Sequence, residues 1–164
     1  QYLYEDSIKL EKVTSIRYID WILTTPLLLL SFAFYADYQK RKEKGESVDY
    51  TPLSYIFVLN IAMLVFGFLG ETGRYNKFKC FVLGFAAFGG LFYFLYDTYV
   101  KDNSDSTVPV YWTLFGIWAL YGIAYYLPVV SKNIAYNILD MLSKTGFGIF
   151  LWISAINALD DDSG

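Results

Sequence analysis

Apolar residues in this chain run in long blocks separated by short polar breaks, with neither strict alternation nor a narrow helical stripe. Five blocks approach the roughly 20 mostly apolar residues that a helix needs to cross a hydrocarbon core: about residues 16–37, 53–71, 78–100, 110–130 and 134–157. The breaks carry turn chemistry. YQKRKEKGESVDYTP (38–52) is charged and ends at Pro52, and GETGRYNK (70–77) is punctuated by glycine. KDNSDSTVP (101–109) is polar, and Pro109 suits the first turn of the fourth span. Pro128, Ser131 and Asn133 mark a tight connection into the fifth. Residues 1–15 mix polar and aromatic side chains and read as a loop outside the membrane. The pattern predicts an all-α, multi-pass membrane protein in a lipid bilayer. A cleavable signal peptide explains none of the five blocks.

Composition narrows the chemistry. Only 18% of the 164 residues are charged, where a soluble domain carries about a quarter. One cysteine, Cys80, excludes an internal disulfide. The absence of histidine removes the usual metal sites and histidine-based acid–base catalysis. There is no Gly-rich phosphate loop and no basic stripe, so neither a metal nor a nucleic-acid partner is expected. Lys40, Arg41, Lys42 and Lys44 favour the cytoplasmic side for the first break. That places residues 1–15 outside and the Asp160–Asp162 tail inside. The full tally does not reinforce the cluster, because Lys9, Lys12, Arg74, Lys77, Lys79 and Lys132 then fall outside.

Charges within spans are costly and mark function by default. Arg17 and Asp20 lie in the first span, Asp140 and Lys144 in the fifth. Arg17 reads either as a snorkelling interfacial residue or as the partner of Asp20. Asp140 and Lys144 stand at i and i+4, about 6 Å apart on one face, as a structural ion pair or as chemistry. A dry pocket favours the neutral form of a lysine amine, and a neutral amine condenses with an aldehyde. The protonated imine needs carboxylate partners; Asp140 supplies one and Asp20 can supply another. At about 100° per residue, Asp20, Thr24 and Ser31 lie within roughly 40° of one another, with Ser31 about 16 Å from Asp20. Thr24 can donate to Asp20 or to the carbonyl four residues back. Ser31 alone would be a small packing residue. Together these residues describe a proton path.

RYIDWILTTPLLLL (17–30) closely resembles the third helix of the microbial (type 1) rhodopsins, WALY (118–121) with Tyr125 their sixth, and NILDMLSKTGFG (137–148) their seventh. FGFLG (66–70) and FKCFVLGFAAF (78–88) fit the fourth and fifth. The resemblance implies a seven-helix bundle of which this chain, residues 1–164, holds the last five helices, the first two being absent. It implies all-trans retinal linked to Lys144 as a Schiff base, with Asp20 as proton acceptor and Asp140 as second counterion. Arg17 would gate the outward path, and Thr24 and Ser31 would lie with it on the proton path, Ser31 at the refill end. Trp21, Thr25, Trp118, Tyr121 and Tyr125 would line the chromophore, and Leu28 stands at the position linked in the family to green absorption. Met63, Gly67, Phe81, Gly84, Phe85 and Phe88 would close the ring end. The family commonly forms trimers or pentamers, so a homo-oligomer is expected. The Asp–Thr–Ser triplet and the Tyr-, Phe-, Lys- and Asn-rich composition resemble rhodopsins of marine eukaryotes and algal giant viruses.

Departures from the family pattern carry expectations of their own. Ser31 stands where many outward proton pumps have a carboxylic donor, so reprotonation should be slow. Gly122 replaces a proline after Tyr121 and should straighten or soften the sixth helix. Tyr125 replaces a common tryptophan. Val130 and Lys132 lie near the positions of the outer release glutamates. Asn60 replaces an aspartate and should hydrogen-bond Thr25. The expected function is a light-driven outward proton pump, an ion transporter and not an enzyme; the alternative is a sensory rhodopsin or light-gated cation channel. Retention of Asp140 favours the pump.

Overall fold

The computed structural model describes the backbone of residues 2–162 and the side chains of residues 12–156. The acidic side chains Asp160–Asp162 lie outside the latter. The chain divides into two compact units, Gln1–Thr107 and Val108–Gly164.

The first unit holds α1 (Tyr2–Lys44), α2 (Leu53–Glu71) and α3 (Lys77–Tyr99). The helix α1 overruns its apolar block at both ends. Residues 2–15, expected as a loop, are helical, because that stretch contains neither glycine nor proline to stop a helix. Charged residues 38–44 continue it as well, since lysine, arginine and glutamate are good helix formers. Gly45 ends it at φ +68°, a left-handed conformation, while its N–H closes on the Arg41 carbonyl at 3.0 Å. The helix also runs through Pro26, which leaves the Ile22 carbonyl without its usual donor. Gly73, at φ +68°, turns the chain after α2. Asn76 then caps α3 by accepting the Lys79 N–H at 3.0 Å.

In this unit α2 packs along α3, and α1 lies on α2 and touches α3. Leu29, Phe32, Ile56, Leu91 and Leu95 form the fully buried centre. Two loops are tied to the last turns of α1. The Asn103 amide donates to the Ala36 and Tyr99 carbonyls, both at 3.0 Å, and Lys44 donates to the Asp102 carbonyl at 3.1 Å. Asp37 accepts the Val48 N–H at 2.9 Å and Arg41 Nε at 2.7 Å. Lys40 pairs with Glu46 at 3.4 Å. Much of the basic cluster that set the expected orientation is therefore engaged with local partners.

The second unit holds α4 (Thr107–Ala124, all but its first residue), α5 (Val129–Asp140), a π-helical turn (Met141–Gly146) and α6 (Phe147–Asp162). The helix α4 is continuous through Gly122 and ends earlier than the apolar block, at Ala124. Pro128, extended at φ −53° and ψ 148°, precedes α5. Ser131 and Asn133 lie inside α5, where the Asn133 amide donates to the Val129 carbonyl at 2.9 Å. The fifth span thus begins at Val129. Among the described residues, five helical segments are long and apolar enough to cross a membrane: Lys12–Lys44, Leu53–Glu71, Lys77–Tyr99, Thr107–Ala124 and Val129–Ile156.

Candidate functional site

The second unit carries the lysine. Spacing at i and i+4 survives the π-helical turn and places Lys144 Nζ 3.8 Å from Asp140 Oδ1, both side chains being about three-quarters buried. The Tyr121 hydroxyl on α4 donates to Asp140 Oδ1 at 2.7 Å, a charge-assisted length. The two helices are thereby linked through the carboxylate. Ser143, buried, brings its hydroxyl 3.2 Å from Tyr121 Oη. Sequence reasoning missed Ser143, although its i+3 spacing from Asp140 was a signal for it. Tyr121 also stacks on Tyr136, ring centroids 5.7 Å apart. Trp118 is buried on α4, and Tyr125 is buried in the turn that follows it. Val130 is exposed and Lys132 half-buried at the start of α5.

The first unit carries the proposed acceptor. Asp20 is exposed on α1 and Arg17 is half-buried. The Arg17 guanidinium lies 5.9 Å from the centre of the Trp21 ring, a cation–π distance. Tyr18 meets the same ring edge-on at 4.9 Å. Trp21 is thus boxed in and buried. The Thr24 hydroxyl donates to the Asp20 backbone carbonyl at 2.8 Å, not to its carboxylate, and Ser31 donates to the Leu27 carbonyl at 2.8 Å. Both hydroxyls take the common route of a polar side chain in an apolar helix, closing on the preceding turn. The polar track keeps its spacing, but these donors are spent locally.

The predicted bond between α1 and α2 is present: Asn60 Nδ2 donates to Thr25 Oγ1 at 2.8 Å, and Thr25 donates to the Trp21 carbonyl at 2.7 Å. This chain of bonds ends at the backbone of Trp21. Leu28 is buried one turn further along. Met63 and Gly84 are brought together, since a Cβ at Gly84 would lie 3.6 Å from the Met63 carbonyl. Phe81, Phe85 and Phe88 form a ladder along α3 with centroids 4.7 and 5.4 Å apart, though Phe85 is exposed. Gly67 has a more specific role in this unit. A Cβ there would lie 2.7 Å from the Tyr18 hydroxyl, which itself donates to Glu71 at 3.2 Å. Its missing side chain makes room for that tyrosine; neither Tyr18 nor Glu71 had a sequence signal.

The family described as bacteriorhodopsin-like protein matches residues 3–158. This chain belongs to that family. It is therefore an integral, multi-pass microbial rhodopsin, and retinal is the chromophore of such proteins. It is 27% identical over 175 residues to the green-light absorbing proteorhodopsin of Gamma-proteobacterium EBAC31A08, covering 94% of this chain and 68% of that protein. To sensory rhodopsin-2 of Haloarcula vallismortis it is 30% identical over 159 residues, covering 87% and 63%. The solved structure of viral rhodopsin OLPVRII superposes with a TM-score of 0.79 at 33% identity, covering 91% of this chain and 69% of that one. The rhodopsin chain thus spans about two thirds of the length of these relatives. The residues of the second unit fit a retinal: an amine within an apolar helix, a carboxylate held beside it by a tyrosine, and a buried flat side chain at Trp118.

Proposed function

We propose that this chain supplies helices three to seven of a light-driven outward proton pump, with Lys144 as the retinal attachment point. The observation that carries this reading is Asp140, held by Tyr121 at 2.7 Å and facing Lys144 at 3.8 Å. A carboxylate so fixed serves as the standing counter-charge of a buried cation. Bound retinal supplies light absorption and an isomerisation that makes the proton at the lysine nitrogen mobile. Asp20 takes that proton, and Arg17 gates the path outward. Trp21 and Trp118 provide flat apolar walls that exclude water. Refilling then comes from the inner side past Ser31, whose hydroxyl lacks the acidity of a carboxylic donor, so this step is slow.

Light-driven acidification outside cells or right-side-out vesicles tests the proposal; no change, or alkalinisation, overturns it. The similarity to sensory rhodopsin-2 supports a second reading, a photosensor with a slow cycle. A visible photocycle without net proton movement would select it. Current under voltage clamp that reverses with the ion gradient would instead select a channel.

A further inference from the structure

The two ends of the first unit carry their cations differently. Where α1 finishes, Arg41 pairs with Asp37 at 2.7 Å, Lys40 with Glu46 at 3.4 Å and Lys101 with Asp97 at 3.3 Å. At the opposite end the turn from α2 into α3 reads Arg74, Tyr75, Asn76, Lys77, Phe78, Lys79, and each of these residues is exposed. Glu71 is the only carboxylate in the sequence between residues 50 and 96, and it accepts the Tyr18 hydroxyl at 3.2 Å. Lys77 and Lys79 stand in the first turn of α3, which holds no acidic residue, and a helix dipole disfavours cations there. Helix stability therefore does not account for them. The backbone that presents them is fixed: the Arg74 and Tyr75 N–H groups both donate to the Leu69 carbonyl, at 3.1 and 3.3 Å, and Asn76 caps α3. The Arg74 guanidinium lies 5.4 Å from the centre of the Phe68 ring. Tyr75 and Phe78 are 67% and 66% exposed. Because this turn joins two helices apolar enough to cross a membrane, it lies at the membrane surface, the level of lipid headgroups and of aromatic belts.

We propose that the turn between α2 and α3 binds the headgroup of an anionic phospholipid, with Arg74, Lys77 and Lys79 on its charges and the Tyr75 and Phe78 rings against its glycerol and upper acyl carbons. Each cation near an anionic membrane surface contributes about fivefold in affinity at low salt. The rings favour a lipid over a free phosphate, which has no apolar part to cover them. A turn already held by its own hydrogen bonds loses little freedom on binding. Neither the chromophore nor a direction of transport enters this proposal, so it is independent of the pump reading.

The test is native mass spectrometry of the full-length, retinal-loaded protein released from micelles of mixed phosphatidylglycerol and phosphatidylcholine. Visible absorbance checks that each variant keeps its chromophore. The parent is expected to retain phosphatidylglycerol in preference to phosphatidylcholine. The triple substitution Arg74→Gln, Lys77→Gln and Lys79→Gln should reduce that preference by about 10²-fold, and Lys79→Gln alone, at an exposed position that tolerates change, by about fivefold. The pair Lys40→Gln and Lys42→Gln, at the other end of the unit, should leave it in place. Tyr75→Ala with Phe78→Ala should weaken retention of both lipids while keeping the preference. Glycerol phosphate at the same concentration should displace neither. Equal retention of the two lipids by the parent overturns the proposal, as does a parent-like preference in the triple variant. So does an equal loss in the Lys40 and Lys42 variant, because net charge alone would then be what is read. Displacement of phosphatidylglycerol by glycerol phosphate overturns the lipid assignment and leaves a site for small anions.

Discussion

Asp20 and Asp140 are both aspartates in helices apolar enough to cross a membrane, yet their settings differ. Asp140 is about three-quarters buried, takes the Tyr121 hydroxyl at 2.7 Å and faces Lys144 at 3.8 Å. Asp20 is exposed on α1, and the hydroxyl that helical spacing offers it, on Thr24, is spent on its backbone carbonyl. A short charge-assisted bond fixes a carboxylate in place. In the proposed pump, Asp140 is the standing counter-charge and Asp20 the changing one.

Substitutions that remove each partner break this comparison most directly. Lys144→Ala should abolish visible absorbance altogether. Asp20→Asn should abolish light-driven acidification, whereas Asp140→Asn should leave it slower but measurable; the reverse ranking would exchange the two roles. Next in size, Ser31→Asp places a carboxylic donor on the refill side and should accelerate absorbance recovery by about 10²-fold in flash photolysis. Tyr121→Phe sharpens the comparison from the other direction. It removes a hydrogen bond to a charged group, about 1.5–3 kcal/mol, and thermal bleaching should report the loss. Asn60→Leu removes the bond to Thr25 between α1 and α2, and such bonds average only about 0.6 kcal/mol in a membrane protein; thermal bleaching should show a correspondingly smaller effect.

The smallest predicted effect lies outside the spans. The Thr51 N–H, followed by the Thr51 side chain, holds the Asp49 carboxyl below the usual carboxylate range. A folded-state value below the unfolded one means stability that is present above the ordinary carboxylate range. It is lost as pH falls through the folded value. Asp49→Asn should flatten that acid-side slope in thermal scans without altering the absorbance spectrum.

How much of this was legible in the sequence depended on the reach of each interaction. Span positions were legible because apolar blocks of the required length are rare by chance. Span ends were less so: residues 2–15 and 38–44 are polar but hold no glycine or proline, and polarity alone does not stop a helix. The Asp140–Lys144 pair was legible because both residues share one helix face. The Thr25–Asn60 bond was reached only through the family pattern. Contacts such as Asn103 to Ala36, 67 residues apart, or Tyr18 to Glu71, 53 apart, leave no periodic trace in the chain.

By itself, then, the sequence determined that this is a multi-span helical membrane protein of the rhodopsin type, with its ionisable residues on particular helix faces. Blocks of apolar residues and spacings of three and four are local properties, and local backbone geometry translates them directly. Only the tertiary structure decided where each hydrogen goes. It turned Thr24 and Ser31 onto their own backbone, gave Asp140 to Tyr121, filled the space beside Gly67 with Tyr18 and pinned two loops to the end of α1. A polar side chain in an apolar helix must satisfy its donors with whatever packs nearest, and what packs nearest is fixed when helices meet.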